Sequence, residues 1–126
     1  MNLGFIGTGR IASSVITGIC KSEISFNRIF ISARNKLISQ KLKKKFKNII
    51  IVNNNQEIVN KCNWIFLSVT PKVGEKIIKE LKFNPNQTII SFISTITLAQ
   101  LKKMIKVKAK IVRAIPLPPI SLKKGP

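Results

Sequence analysis

The sequence predicts an α/β fold, a single domain with a doubly wound parallel sheet in strand order 3-2-1-4-5-6. Three observations carry that expectation. Short apolar runs alternate with amphipathic segments along the chain. Residues 2–12 read Asn-Leu-Gly-Phe-Ile-Gly-Thr-Gly-Arg-Ile-Ala, a G-x-G-x-x-A turn between an apolar run and a helical pattern. The 126 residues are 44% hydrophobic, which suits one domain with a real core rather than a disordered chain.

Residues 3–6 are the first expected strand. Residues 11–21 follow as a helix with Ile11, Val15, Ile16 and Ile19 on one face. Residues 28–32, Arg-Ile-Phe-Ile-Ser, form the second strand. Residues 35–46 form a Lys-rich helix whose apolar stripe is Leu37, Ile38, Leu42 and Phe46. The third strand spans 49–52 and a short helix spans 56–61. Residues 64–69, Trp-Ile-Phe-Leu-Ser-Val, are apolar almost throughout, as a strand buried on both faces should be. Pro71 suits the first turn of a helix over 72–81, since its missing N–H is unneeded there. The fifth strand covers 88–93. Thr97 can cap a helix running to about residue 105, and the sixth strand covers 111–115. Strand–helix alternation of this kind builds right-handed βαβ units, here a Rossmann-type sheet.

The glycine turn has a physical purpose. Gly7 lets the chain leave the strand tightly, and Gly9 lets backbone approach a phosphate. Thr8 sits between them. Ala12 is small enough for helix to pack on sheet. The first N–H groups of the helix, from Arg10 and Ile11 onward, face an anion with partial positive charge. The expected ligand is a dinucleotide pyrophosphate. Arg10 either covers that pyrophosphate or points to solvent.

The end of the second strand reads Ile31-Ser32-Ala33-Arg34-Asn35. A site for NAD commonly carries an acid here, for the ribose hydroxyls. The chain has only four acidic residues, all Glu, and none falls at this position. Ser32, Arg34 and Asn35 offer a hydroxyl, a guanidinium fork and an amide, and Lys36 adds charge, which points to a 2′-phosphate and to NADPH over NADH. Asn55 follows the third strand, in an Asn-rich turn. Val69, Thr70 and Pro71 end the fourth strand at the switch-point side, where Thr70 either bonds the cofactor or caps the helix.

The formal net charge is +19, with no His and no Tyr. Such charge fits binding to nucleic acid or an anionic surface. The favoured reading is AT-rich coding, because Lys, Ile and Asn crowd together throughout. No run of about 18 apolar residues suggests a membrane span. Two cysteines, Cys20 and Cys62, are too few for a disulfide framework and are expected as small buried thiols in a reducing cytoplasm. No metal site is expected.

With these segments in order, the chain resembles the N-terminal domain of the pyrroline-5-carboxylate reductase family. The resemblance rests on residues 4–12, on Ser32-Ala33-Arg34-Asn35 and on Asn55-Gln56-Glu57. It continues through Ile65-Phe66-Leu67-Ser68-Val69-Thr70-Pro71-Lys72, Ile90-Ser91-Phe92-Ile93-Ser94-Thr95-Ile96, and Ile111-Val112-Arg113-Ala114-Ile115-Pro116-Leu117-Pro118-Pro119. It implies reduction of 1-pyrroline-5-carboxylate to proline by hydride transfer from NAD(P)H, in a cytoplasmic homodimer or higher homo-oligomer. It implies Asn55 near the adenosine ribose and Pro116 near the nicotinamide. Arg113 matches the family's Arg before its Met-Pro turn, with a structural role tying the last strand to its neighbour. Thr70, Leu117 and Pro118 depart from the family's Lys, Asn and Thr, which leaves another small imine or carbonyl substrate open. The family's C-terminal helical domain is absent from residues 1–126, so no catalytic residue and no turnover is expected here. Two alternatives stand beside this: another NADP reductase, deazaflavin-dependent or of the 3-hydroxyacid dehydrogenase kind, and a basic nucleic-acid-binding protein.

Overall fold

The computed structural model describes residues 1–33 and 35–114. Its elements are β1 (Asn2–Ile6), α1 (Arg10–Cys20), β2 (Arg28–Ser32), α2 (Lys36–Lys45), β3 (Ile49–Val52), α3 (Asn55–Lys61), β4 (Trp64–Leu67), α4 (Pro71–Glu80), β5 (Thr88–Ser91), α5 (Leu98–Ile105) and β6 (Lys110–Arg113). The strands form one sheet in the order β3-β2-β1-β4-β5-β6, with every pair parallel. This is the expected doubly wound topology. The order reverses between β1 and β4, so the crevice for a ligand opens at their C-terminal ends.

Boundaries differ where side chains compete with the backbone. Asn35 and Phe46 are caps of α2 rather than members, because Asn35 Oδ1 accepts the Ile38 N–H at 3.2 Å and Phe46 is extended. Asn54 caps α3 by accepting the Glu57 N–H at 2.8 Å, so the helix begins at Asn55. Pro71 itself opens α4, as an N1 proline should. The fifth strand stops at Ser91, whose Oγ takes the Ile93 N–H at 3.1 Å and pulls the chain off the ladder. The fourth stops at Leu67, where the chain turns toward α4. Strand β6 starts one residue early, since the Lys110 N–H reaches Gln87 O at 3.1 Å; Ile115 lies outside the described residues. Thr97 and Gln100 complete a reciprocal capping box at α5.

The core has two layers. Leu3, Phe5, Ile29 and Ile31 meet Ala12, Ile16 and Leu42 of α1 and α2 on one face. Ile65, Leu67 and Ile89 meet Ile58, Ile78 and Leu101 of α3, α4 and α5 on the other. Phe5 and Phe66 stack across β1 and β4 with centroids 4.4 Å apart, and Phe92 lies 5.9 Å beyond. Two stripe residues behave otherwise than expected: Leu37 is 71% exposed and Ile11 47%. Both fall outside the arc that meets the sheet, and Ser39, 1% exposed, occupies the buried arc of α2 instead. Buried Gln87 donates to Val59 O and Cys62 O, tying the start of β5 to the α3–β4 turn. Cys62 is buried and Cys20 half-buried, and both are free thiols; burial pushes the Cys62 thiol up to about 12.

Lys43, Lys44 and Lys45 lie in the last turn of α2, where the helix C-terminus favours cations. Lys43 Nζ donates to Ile49 O at 2.7 Å. Among the described residues no helix is long and apolar enough to cross a membrane.

Candidate functional site

The turn after β1 is shaped by backbone. Gly7 has φ +96°, a conformation L side chains rarely adopt. A Cβ there would stand 2.5 Å from Ser68 O and 2.8 Å from Val69 Cγ1. Ser68 grips the same turn from β4, its Oγ donating to Ile6 O and Gly7 O at 3.1 Å each. Gly9 is different: a Cβ there would meet nothing within 4 Å. Space above Gly9 is open to a ligand rather than filled by protein.

Gly9 is the N-cap of α1 and supplies no side-chain cap. The first helical bond is Ser13 N–H to Gly9 O at 3.0 Å, which leaves the N–H groups of Arg10, Ile11 and Ala12 without an intrahelical acceptor. No acidic residue occupies the first turn. Thr8 is 4% exposed, and its hydroxyl has no hydrogen-bond partner among the described residues. An orphaned buried hydroxyl beside bare helix N–H groups fits an anion. Arg10 is exposed and Ala12 fully buried, as helix–sheet packing requires.

Gly7, Thr8 and Gly9 line a groove of about 670 Å³, together with Asn35, Lys36, Ser68, Val69, Thr70 and Val73. A second depression of about 510 Å³ adjoins it, lined by Ser32, Ala33, Lys36 and residues 53–55. Lys36 borders both. The two grooves bring together Gly7, Thr8, Gly9, Ser32, Asn35, Asn55, Val69 and Thr70 at the C-terminal ends of β1, β2, β3 and β4. Pro71 points elsewhere, lining a depression between α4 and α5. Arg10 borders a separate depression between α1 and α2. Arg34 and Pro116 lie outside the described residues, as do Leu117 and Pro118.

Several expected roles acquire geometry. Asn35 has its side-chain oxygen engaged as the α2 cap, accepting the Ile38 N–H, and the residue borders the groove. Thr70 is the N-cap of α4 but makes no side-chain cap bond. Arg113 Nη2 donates to Ser94 O at 2.6 Å, joining β6 to the turn after β5. Three contributors were not legible. Ser39 Oγ donates to Ser32 O at 2.7 Å and fixes the end of β2; a Ser at a buried stripe position was its signal. Ser68 braces the glycine turn, with no pattern to mark it. A Cβ at Gly74 would lie 2.7 Å from Ile93 Cδ1, so its lack of a side chain sets α4 close to the turn after β5.

A family model described as NADP oxidoreductase, coenzyme F420-dependent, matches residues 2–95. The chain belongs to this family. Among relatives of this NADP oxidoreductase family member, pyrroline-5-carboxylate reductase 3 of Danio rerio is 29% identical, over 99% of this chain and 44% of that protein. The pyrroline-5-carboxylate reductase of Escherichia coli strain K12 is 25% identical, over 98% of this chain and 46% of that protein. The chain therefore spans about half the length, or slightly less, of these relatives. Among solved structures, a pyrroline-5-carboxylate reductase from Coxiella burnetii superposes with TM-score 0.84 at 24% identity, over 98% of this chain and 47% of that one. The Plasmodium falciparum pyrroline carboxylate reductase, solved with NADP bound, gives TM-score 0.83 at 23% identity, over 99% of this chain and 45% of that one. These two likenesses establish the shared fold.

Proposed function

We propose that this family member is the NADPH-binding part of a pyrroline-5-carboxylate reductase. The observation that carries the reading is the cradle at the α1 N-terminus: a positive-φ glycine, an open position at Gly9 and an orphaned Thr8 hydroxyl. In this reading the N–H groups of Gly9, Arg10, Ile11 and Ala12 hold the pyrophosphate. Ser32, Arg34, Asn35 and Lys36 hold the 2′-phosphate, and Asn55 the ribose beside it. Val69 and Thr70 line the path toward the nicotinamide, which Pro116 borders in the family resemblance, while Pro71 opens α4 behind them. The cofactor's chemistry is a hydride for the ring C=N carbon of the substrate.

The chain's own residues bind and orient. They include no His, Tyr or Asp to donate a proton, so the substrate is an imine already protonated, or takes its proton from elsewhere in the enzyme. The named relatives support the imine over a deazaflavin or hydroxyacid, since they match nearly the whole chain. A small cyclic imine acid, a homo-oligomeric enzyme and a cytoplasmic location complete the proposal. The basic surface speeds capture of a polyanionic cofactor rather than binding nucleic acid.

Titration of the chain with NADPH and NADH tests this. NADPH is expected to bind at least about tenfold tighter, a difference of roughly 1.4 kcal/mol. Equal affinities would remove the 2′-phosphate site, and no binding of either would remove the whole reading. A DNA or RNA gel shift as tight as NADPH binding would favour the nucleic-acid alternative.

A further inference from the structure

The depression that Pro71 lines, between α4 and α5, has a volume of about 670 Å³ and shares no residue with the groove at the glycine turn. Its floor is apolar, made by Ile96, 7% exposed, and half-buried Met104. Its rim carries Lys72, Lys79, Lys103 and Lys106. Glu75 neutralises Lys79 across 3.1 Å. The other three have no carboxylate partner among the described residues.

Lysine is spread over the whole surface, so charge alone singles out no site. Lys106 does. It is the C-cap of α5 with φ 65° and ψ 1°, and it alone among non-glycine described residues has positive φ. A helix end in this left-handed conformation favours glycine, and a side chain there destabilises the fold. Lysine is thus held in an unfavourable backbone state at the mouth of an apolar depression. Lys103 stands less than one turn before it on the same helix.

We propose that the α4–α5 depression binds a small organic anion, independently of the dinucleotide site. An apolar body packs on Ile96 and Met104, and a phosphate or carboxylate head meets Lys103 and Lys106. Lys72 closes the opposite end, from the first turn of α4. Charge complementarity sets the head; the floor sets the body.

Two-dimensional NMR of the full chain, with and without saturating NADPH, tests this with phenyl phosphate, benzoate and inorganic phosphate. At least one aromatic anion is expected to shift Ile96, Met104 and Lys103, and the better head identifies itself by affinity. Inorganic phosphate is expected to bind at least about tenfold more weakly, and NADPH to change the aromatic anion's affinity less than about twofold. Lys103→Ala should weaken it about fivefold. Lys106→Gly should weaken it similarly while raising Tm by about 4 °C, because glycine relieves the backbone. The proposal is overturned if neither aromatic anion binds, if shifts gather at Gly7, Thr8 and Gly9, or if phosphate alone binds as well. It is also overturned if Lys106→Gly leaves affinity unchanged or lowers Tm.

Discussion

The turns after β1 and β2 face the same crevice, yet they are built from different material. The first is backbone: Gly7 at φ +96°, Gly9 open, and three helix N–H groups, with Ser68 bracing from β4. The second is side chain: Ser32 at a strand end, Asn35 as a cap, Lys36 exposed at a helix start. A backbone site permits almost no substitution, because sterics fix it. A side-chain site can change one group at a time while the fold stands. The family likeness is therefore carried most firmly by the first turn, and cofactor preference by the second.

Gly7→Ala should have the largest effect. Its Cβ would meet backbone, which cannot swing aside, and the residue would sit in a disfavoured conformation. A loss of about 3 kcal/mol in stability is expected by urea denaturation. A loss under about 1 kcal/mol would mean the turn relaxes easily and the backbone account is wrong. Gly9→Val separates binding from folding. Its side chain has room and its backbone, at φ −83° and ψ −167°, is ordinary for any residue. Stability should hold within about 0.5 kcal/mol while NADPH affinity falls about 30-fold, near 2 kcal/mol. Unchanged affinity would place the pyrophosphate elsewhere.

The same contrast explains what was legible in the sequence. The strand order followed from apolar alternation and the glycine turn, because both are dictated by periodicity and backbone sterics. Element ends were less legible at Asn35, Asn54 and Ser91, where one polar side chain decides where a helix starts or a strand stops. The stripe of α2 misled at Leu37, since a Lys-rich helix leaves several arcs equally plausible and Ser39 is the residue that turns inward. Ser68 was invisible as a site residue, and Ser39 was marked only by its place on the buried stripe, because each acts on another segment's carbonyl. Nothing local marks a serine whose partners are 61 and 62 residues away, as Ser68's are at Gly7 and Ile6.

Ser39→Ala probes how far the second turn depends on its buried brace. The change removes the 2.7 Å hydrogen bond from Ser39 Oγ to Ser32 O, and a cost of about 1 kcal/mol is expected in urea denaturation. NADPH affinity should fall with it, because Ser32 and Asn35 lie at either end of the segment that Ser39 fixes. Stability lost with affinity intact would show that the second turn tolerates a shift of β2.

Lys36→Ala is the finest test of the comparison. Lys36 borders both grooves, but its head group is exposed, so its attraction to a phosphate is screened by water and salt. NADPH affinity should drop only about fivefold, close to 1 kcal/mol, and NADH affinity less than about twofold. The NADPH loss should shrink further between 50 and roughly 500 mM salt, since the Debye length contracts over that range. Equal losses for both cofactors would assign Lys36 to the pyrophosphate and make it part of the first turn's work. A loss confined to NADPH keeps the division intact: sterics choose that a dinucleotide binds, and a few surface charges choose which one.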